Sequence, residues 1–241
     1  MSWNGQDNNT AAVCERGFTL DSNDRSVPGI YWTPTDGDAK ALVLLGHGGN
    51  ADKKVEYIEL IAHGLCSHGI AAMAIDGPGH GDRPGADQWQ ASDPSSFRSR
   101  WESDGGTEAI VADWKAALDF IEAQDRQRVT GWLGFSMGTM MGLPVCVADK
   151  RIKVAVLGLM GFWGPNKKDL IRLAPDLSIP VRYFVQWDDE VVPRDSCLEL
   201  FDALGSKRKS LHGNPGAHSA LPTFEVEDAV VYLDKQLAKT R

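Results

Sequence analysis

The sequence predicts an α/β fold in which helices cover both faces of a mainly parallel central sheet. Short apolar runs rich in β-branched residues alternate with longer segments whose apolar residues recur at helical spacing. Regular alternation of strand and helix needs crossover connections, which place successive strands parallel to one another. Neither a repeat nor a linker divides the 241 residues, so we predict a single domain over 1–241.

The first half of the chain supplies the entry to this sheet and two of its parallel strands. A hairpin over 17–32, with its turn near Asp21–Asp24, is expected to enter antiparallel to the other strands. Two apolar strands follow, and each stops at a glycine-rich cluster that favours a tight turn. Apolar residues three and four positions apart predict a helix after each strand. The order is strand 41–45, helix 55–65, strand 70–75 and helix 107–123.

The second half repeats the alternation to the end of the chain. The same two periodicities predict four more strands and four more helices, of which the last helix is amphipathic. The order is strand 128–133, helix 137–147, strand 153–159, helix 166–173, strand 181–186, helix 194–204, strand 208–212 and helix 224–237.

Composition narrows the class of function. The chain holds 33 acidic and 25 basic residues, a net charge of −8, so nucleic acid is not expected as a partner. No apolar stretch approaches the ~18 residues needed to cross a bilayer, and the polar segment 1–25 lacks the apolar core of a signal peptide. The four scattered cysteines show neither metal-ligand spacing nor a disulfide framework. We therefore expect a cytoplasmic protein without a membrane partner or a metal site.

The strongest chemical signal lies between strand 128–133 and the helix that follows it. A serine hydroxyl is a weak nucleophile and needs both a base and an exposed, fixed oxygen. A sharp turn from strand to helix supplies that exposure, and a glycine two residues to either side removes the side chains that would clash there. An inert serine in a tight turn is the alternative. The segment is Gly134-Phe135-Ser136-Met137-Gly138.

A glycine-rich loop after strand 41–45 offers backbone N–H groups. Two such groups must point at the oxyanion that forms when a nucleophile attacks a carbonyl carbon. The loop Gly46-His47-Gly48-Gly49-Asn50 can present the amide of Gly49, and Met137, next to the serine, can present the second. We interpret His47 as a histidine that braces this loop, with a role as catalytic base as the alternative.

A carboxylate and a histidine follow later strands and complete a possible triad. Asp188 and Asp189 come directly after strand 181–186, at the end of the strand where ligands bind in open α/β sheets. Capping of the next helix is the alternative role for either acid. His218 lies in a Gly/Pro-rich loop after strand 208–212 and could instead be merely solvated. The order serine, acid, histidine favours a catalytic role for His218.

With these motifs the chain resembles the α/β-hydrolase superfamily from about Phe18 to the C-terminus. The size resembles its dienelactone-hydrolase-like and small bacterial carboxylesterase branches. Dienelactone hydrolases proper use a cysteine where this chain has Ser136. The matching segments are the nucleophile turn Gly134–Gly138, the oxyanion loop His47–Gly49, the turn Asp76–Gly81, the acid segment Asp189–Pro193 and His218.

The resemblance implies an α/β-hydrolase fold and assigns the catalytic residues. The family acid commonly stands four residues before a proline, which selects Asp189 over Asp188 because Pro193 follows it at that distance. Ser136, Asp189 and His218 are then the catalytic residues, with Gly49 and Met137 as the oxyanion hole. The family inserts its cap between strands 153–159 and 181–186, where this chain leaves too few residues, so no large cap domain is expected.

Two further segments are candidates for contact with a substrate. The polar stretch 82–106, which carries Trp89, Phe97 and Trp101, is either a partial lid or a solvated loop. Phe162 and Trp163 lie just past the end of strand 153–159 and are expected to bind the acyl group, with packing in the core as the alternative.

The reaction expected from these residues is hydrolysis of carboxylic esters of short to medium acyl chains through an acyl-enzyme. The substrate is expected to be a small molecule, no cofactor is implied, and the oligomeric state is left open. Hydrolysis of a thioester, lactone, amide or carbon–carbon bond would use the same residues. The alternative of another class is a ligand-binding protein that keeps the fold without turnover.

Overall fold

The computed structural model describes residues 2–10, 12–86 and 94–240, which form one nine-stranded sheet flanked by helices. The strands are β1 (Ser2–Asn9), β2 (Val13–Ser22), β3 (Arg25–Pro34), β4 (Leu42–Gly46), β5 (Ala71–Ile75), β6 (Thr130–Gly134), β7 (Ile152–Gly158), β8 (Val181–Gln186) and β9 (Lys209–Asn214). The helices are α1 (Glu56–Ser67), α2 (Pro94–Ser103), α3 (Gly106–Gln124), α4 (Met137–Ala148), α5 (Lys167–Leu173), α6 (Arg194–Ala203) and α7 (Thr223–Ala238).

The sheet is mainly parallel, which confirms the predicted fold class. Its strand order is β1-β2-β3-β5-β4-β6-β7-β8-β9. The six strands from β5 to β9 in that order pair in the parallel sense, and β1, β2 and β3 add antiparallel strands at one edge. The carboxyl ends of β4, β6, β8 and β9 therefore lie along the same edge of the sheet.

Helices cover both faces of the sheet and bury two apolar layers. Apolar side chains of α1 and α7 pack on one face, and those of α3, α4, α5 and α6 pack on the other. The strands at the centre read as continuous apolar runs because both of their faces are buried. The connection from β7 to β8 holds α5 and one 3-10 turn (Ala174–Asp176), so no large cap domain stands there.

The predicted entry hairpin is present, and its turn shows why these residues form it. Asn23 and Asp24 join β2 to β3 with φ angles of 52° and 63°. A two-residue hairpin turn needs left-handed backbone, which Asn and Asp tolerate better than most residues. The Asp24 N–H also donates to the Asp21 carboxylate at 3.1 Å.

Two elements were not predicted, because their sequences are polar. In β1 the main apolar anchor is Trp3, which packs against Phe18 and Phe120. In α2 the two aromatic residues Phe97 and Trp101 stand one helical turn apart, and Trp101 is buried. A single apolar pair among Arg and Ser residues is too little for a periodicity to be recognised.

Some of the predictions from the sequence fall on residues that the structure does not describe. Trp89 and the rest of 87–93, within the candidate lid over 82–106, lie outside the described residues. The single-domain assignment over 1–241 stays a prediction. None of the helices among the described residues is long and apolar enough to cross a membrane.

Candidate active site

The parallel sheet brings the predicted site residues to one edge. Ser136 follows β6, Asp189 follows β8, and His218 follows β9. These strands lie on the same side of β4, whose end carries the loop with Gly49. Ends of adjacent parallel strands are where open α/β sheets form their binding crevices. The fold thus gathers residues that are up to 169 positions apart, since Gly49 and His218 differ by that number in the sequence.

The turn that carries Ser136 is strained and tightly packed. Ser136 has φ 56° and ψ −119°, outside the regions that residues with side chains normally adopt. A Cβ at Gly138 would lie 2.2 Å from the Gly46 carbonyl oxygen, and one at Gly134 would lie 2.8 Å from that of Gly138. Only glycine fits at either position. Gly134 and Gly138 are therefore required because neighbouring backbone segments come too close to leave room for a side chain.

Thr139, which was not predicted as a site residue, stabilises this turn through hydrogen bonds to the backbone. Its Oγ1 accepts the Gly158 N–H at 2.8 Å and lies 2.9 Å from the Gly134 carbonyl oxygen. The Gly158 carbonyl in turn accepts the Ser136 N–H at 2.9 Å. Thr139 and Gly158 thereby tie the end of β6 to the end of β7 beneath Ser136. A threonine in the first turn of the helix is the only signal in the sequence, and it is a weak one.

Ser136, His218 and Asp189 form a continuous chain of hydrogen bonds. His218 Nε2 lies 2.9 Å from Ser136 Oγ, and His218 Nδ1 lies 2.7 Å from Asp189 Oδ2. The other carboxylate oxygen of Asp189 accepts the N–H groups of Val191 and Val192 at 2.9 and 2.8 Å. Asp189 is buried, with 1% of its side chain exposed. This arrangement places the imidazole proton on Nδ1 and leaves Nε2 to accept from the serine hydroxyl.

The acids on either side of Asp189 hold the loop that carries His218. Asp188 accepts the Gly216 N–H at 3.1 Å, and Glu190 accepts the His218 N–H at 2.9 Å. This bond lowers the pKa of the exposed Glu190 carboxyl below its ordinary value. Neither acid caps α6, whose N-cap residue is Pro193. Asp188 therefore binds the loop backbone and does not cap the helix, and the sequence did not point to the role of Glu190.

The loop after β4 is held in a defined orientation. His47 Nε2 accepts the Gly77 N–H at 2.8 Å, so Nδ1 carries the proton and donates to the Gly48 carbonyl at 2.8 Å. Because the peptide group is planar, fixing the Gly48 carbonyl also fixes the direction of the Gly49 N–H. Burial lowers the pKa of His47 to about 3, which keeps the ring neutral. These contacts match the interpretation of His47 as a histidine that braces the loop.

Two backbone N–H groups, those of Gly49 and Met137, lie just after the ends of β4 and β6. Gly46 and Gly134 are register partners in these strands, and Gly49 and Met137 each follow three residues later. Among the described residues, neither the Gly49 nor the Met137 N–H donates to a protein acceptor. Tyr57 supports the same loop, because its hydroxyl accepts the Gly48 N–H at 2.7 Å. Neither the sequence motif nor the periodicity pointed to Tyr57.

The remaining candidates lie on the segment after β7 and on α2. Phe162 is half-buried and packs against the core, and Trp163 is exposed. Their segment contacts the first turns of α4, since Asn166 Nδ2 donates to the Met140 carbonyl at 3.0 Å. Phe97 of α2 lies near the loop after β4, where a Cβ on Gly49 would be 3.8 Å from its ring. A substrate-binding role for Phe162 and Trp163 stays a prediction.

Comparison with known proteins places this geometry in context. The sequence model of the alpha/beta hydrolase family matches residues 42–234. A PEG-bound structure of a cold-adapted esterase from an Arctic intertidal metagenomic library is 58% identical, with a TM-score of 0.92 over 98% of this chain and 99% of that one. The native structure of such an esterase is 55% identical, with a TM-score of 0.86 over 98% and 100% of the chains.

More distant structures show the fold alone. The acetyl xylan esterase from Paenibacillus sp. R4 is 19% identical, with a TM-score of 0.73 over 97% of this chain and 87% of that one. A search of curated proteins gave no significant match.

Asp188→Asn and Asp189→Asn should have different effects on turnover. The Val191 and Val192 N–H groups hold one oxygen of residue 189, so an asparagine there must turn its NH₂ toward His218. That forces the imidazole proton onto Nε2, and kcat should fall by about 10⁴ as in serine proteases. An asparagine at 188 can still accept from Gly216 and should keep most of the activity. Steady-state kinetics on both variants would decide, and equal losses would contradict the assignment of Asp189.

Burial of neutral His47 should make stability depend on pH. Its pKa of about 3 lies below the value of about 6.5 in an unfolded chain, so the unfolded state takes up a proton first as the pH falls. Below pH 6.5 this residue should lower the free energy of unfolding by about 1.4 kcal/mol per pH unit. Urea unfolding of wild type and His47→Asn between pH 5 and 8 measures this. The stability gap between them should narrow as the pH falls, and a constant gap would contradict the neutral, buried state.

Proposed function

The chain belongs to the alpha/beta hydrolase family, and on that premise we propose that it is a serine esterase with Ser136 as nucleophile, His218 as base and Asp189 as the acid. The resemblance seen in the sequence motifs is thereby confirmed at the level of the family. The observation that carries the proposal is the hydrogen-bond chain from Ser136 Oγ through His218 to Asp189, at 2.9 and 2.7 Å. The identity of 58% to a cold-adapted esterase over nearly the whole chain supports an ester as the substrate.

Acylation follows from the direction of these bonds. His218 Nε2 takes the hydroxyl proton as Ser136 Oγ attacks the ester carbonyl carbon. The imidazolium that forms is stabilised by Asp189, which is buried and already accepts from Nδ1. The carbonyl oxygen becomes an oxyanion, and the Gly49 and Met137 N–H groups bind it. When the tetrahedral intermediate collapses, His218 gives its proton to the departing alcohol.

Deacylation repeats the same steps with water in place of the alcohol. His218, again neutral, takes a proton from a water molecule that attacks the acyl carbon of the ester on Ser136. The oxyanion that forms in this step accepts hydrogen bonds from the same two N–H groups, those of Gly49 and Met137. Collapse releases the carboxylic acid and returns the proton to Ser136 Oγ, so the enzyme ends each cycle unchanged.

The substrate we propose is a small-molecule ester with a short or medium acyl chain. The connection between β7 and β8, where the family places its cap, is too short here to bury a long chain. Phe162 and Trp163 are proposed to contact the acyl group, and the segment over 82–106, with Phe97 near Gly49, is proposed as a partial lid. A cytoplasmic location stays a prediction from the sequence.

A series of p-nitrophenyl esters from acetate to palmitate tests the proposal. Wild type should hydrolyse them, with a higher kcat/KM for butyrate than for palmitate because little apolar surface is available to cover a long chain. Ser136→Ala should keep the fold, since alanine is no larger than serine, and should lose all but about a hundredth or less of kcat.

Two results would overturn parts of the proposal. Retention of more than about a hundredth of kcat by Ser136→Ala would exclude Ser136 as the nucleophile. Preference for palmitate over butyrate would contradict the short acyl chain and leave the triad intact. The unfolding temperature of Ser136→Ala is the control that separates lost chemistry from lost structure.

A further inference from the structure

His80 is a buried histidine that the mechanism above does not use. It lies in the turn after β5 and is 3% exposed. Its Nδ1 is 2.7 Å from the Pro78 carbonyl oxygen, and its Nε2 is 2.7 Å from the Gly49 carbonyl oxygen. A carbonyl oxygen can only accept a hydrogen bond. Both ring nitrogens must therefore donate, which requires the doubly protonated imidazolium form.

His47 and His80 differ in the hydrogen-bond partners of their ring nitrogens. The ring centroids of the two histidines are 5.3 Å apart. His47 has a backbone N–H against one nitrogen and a carbonyl against the other, the pattern of a neutral imidazole. His80 has carbonyls against both. The same loop is thus held by one neutral and one charged histidine.

Between them, the two histidines fix the backbone on both sides of Gly49. His47 holds the carbonyl of Gly48, and His80 holds the carbonyl of Gly49. Glycine has the widest backbone freedom of any residue, so the contact from His80 adds a restraint on the peptide group that follows Gly49 and limits rotation of the loop about that residue. We propose that His80 is a positioning residue for the oxyanion hole, and that it acts in its doubly protonated form. This inference rests on the proposed role of the Gly49 N–H.

The turn that carries His80 is itself well anchored. Asp76 accepts the side chain and backbone N–H of Lys53 at 2.7 and 3.0 Å and the Asp82 N–H at 2.9 Å. Arg83 donates to the Asp76 carbonyl at 2.8 Å and pairs with Asp113 at 2.7 Å. His80 therefore donates to the Gly49 carbonyl from a turn that its own hydrogen bonds and ion pairs hold in place.

The charged groups around this turn come from four parts of the chain. Lys53 pairs with Asp76 and Asp82, and Arg83 pairs with Asp104 and Asp113. Helix α2 adds Arg100, which donates to the Gly79 and Gly85 carbonyls, and the ring of Phe97. From the loop after β4, the neutral ring of His47 lies beside His80. Among the described residues these acidic and basic groups pair with one another, and the Pro78 and Gly49 carbonyls lie against the two ring nitrogens of His80.

Loss of a proton from His80 should loosen the hole. One ring nitrogen would then present a lone pair to a carbonyl oxygen 2.7 Å away, and that contact would become repulsive. Loss of the His80 contact with the Gly49 carbonyl should therefore weaken binding of the oxyanion. Because the bound ester does not yet carry this charge, kcat should change and KM should not.

His80→Gln and His80→Asn form the matched pair that tests this. A glutamine amide can reach the place of Nε2 and still donate to Gly49, whereas an asparagine amide can reach only that of Nδ1. His80→Asn should lose on the order of 10² in kcat with little change in KM. His80→Gln should keep most of kcat. His68→Gln, which changes a histidine paired with Asp234 at the far end of α1, should keep the wild-type kcat and KM.

The outcomes separate the inference from the proposed function. If both His80 variants keep wild-type kcat, or if both lose kcat equally, His80 does not position the hole. If wild type hydrolyses no ester, the proposed function fails first. Nitrogen NMR of ¹⁵N-histidine-labelled Ser136→Ala protein gives a second test that needs no turnover or folded His80 variant. A His80 ring with protons on both nitrogens at pH 7 is expected, and a neutral ring would overturn the inference.

Discussion

The site depends on how closely the first turn of α4 approaches the ends of β4 and β6. The Gly46 carbonyl oxygen occupies space that any side chain at residue 138 would need, since a Cβ there would be 2.2 Å away. This approach forces the chain to reverse within Ser136, whose φ of 56° costs about 1–3 kcal/mol. The strain is sustained because Thr139 and Gly158 bind the backbone on both sides of the turn. As a result, the Ser136 Oγ projects from the edge of the sheet, and the Met137 N–H lies beside the loop after β4.

Around this rigid point, each proposed catalytic group is held by a second set of contacts. Three consecutive acids after β8 bind the loop with His218, and only the middle one, Asp189, reaches the imidazole. In the loop after β4, His47 binds the carbonyl of Gly48 and Tyr57 binds its N–H. Burial raises the pKa of Tyr57 to about 12, so its hydroxyl keeps its proton while it accepts the Gly48 N–H. Groups held in advance need no reorganisation when charge develops on the substrate, which is how such sites lower a barrier.

The sequence predicted the residues that follow the ends of strands. It did not predict the residues and elements whose positions depend on side-chain contacts. Ser136, Asp189 and His218 each follow a strand that periodicity reveals, and parallel strands bring such positions together wherever they lie in the chain. Thr139 and Glu190 act through hydrogen bonds to the backbone of other segments, for which a sequence carries no periodic signal. Helix α2 and strand β1 were missed for a related reason, because a few aromatic anchors such as Trp3 and Trp101 fix them among polar residues.

The central claim is that His218 and Asp189 make the hydroxyl of Ser136 a nucleophile. A fluorophosphonate tests it directly, because it reacts with an activated serine and leaves a stable phosphonyl ester whose position can be found by mass spectrometry of peptides. The account predicts one adduct per chain, on the peptide that contains Ser136. An adduct on a different residue, or no adduct on the folded protein, would contradict it.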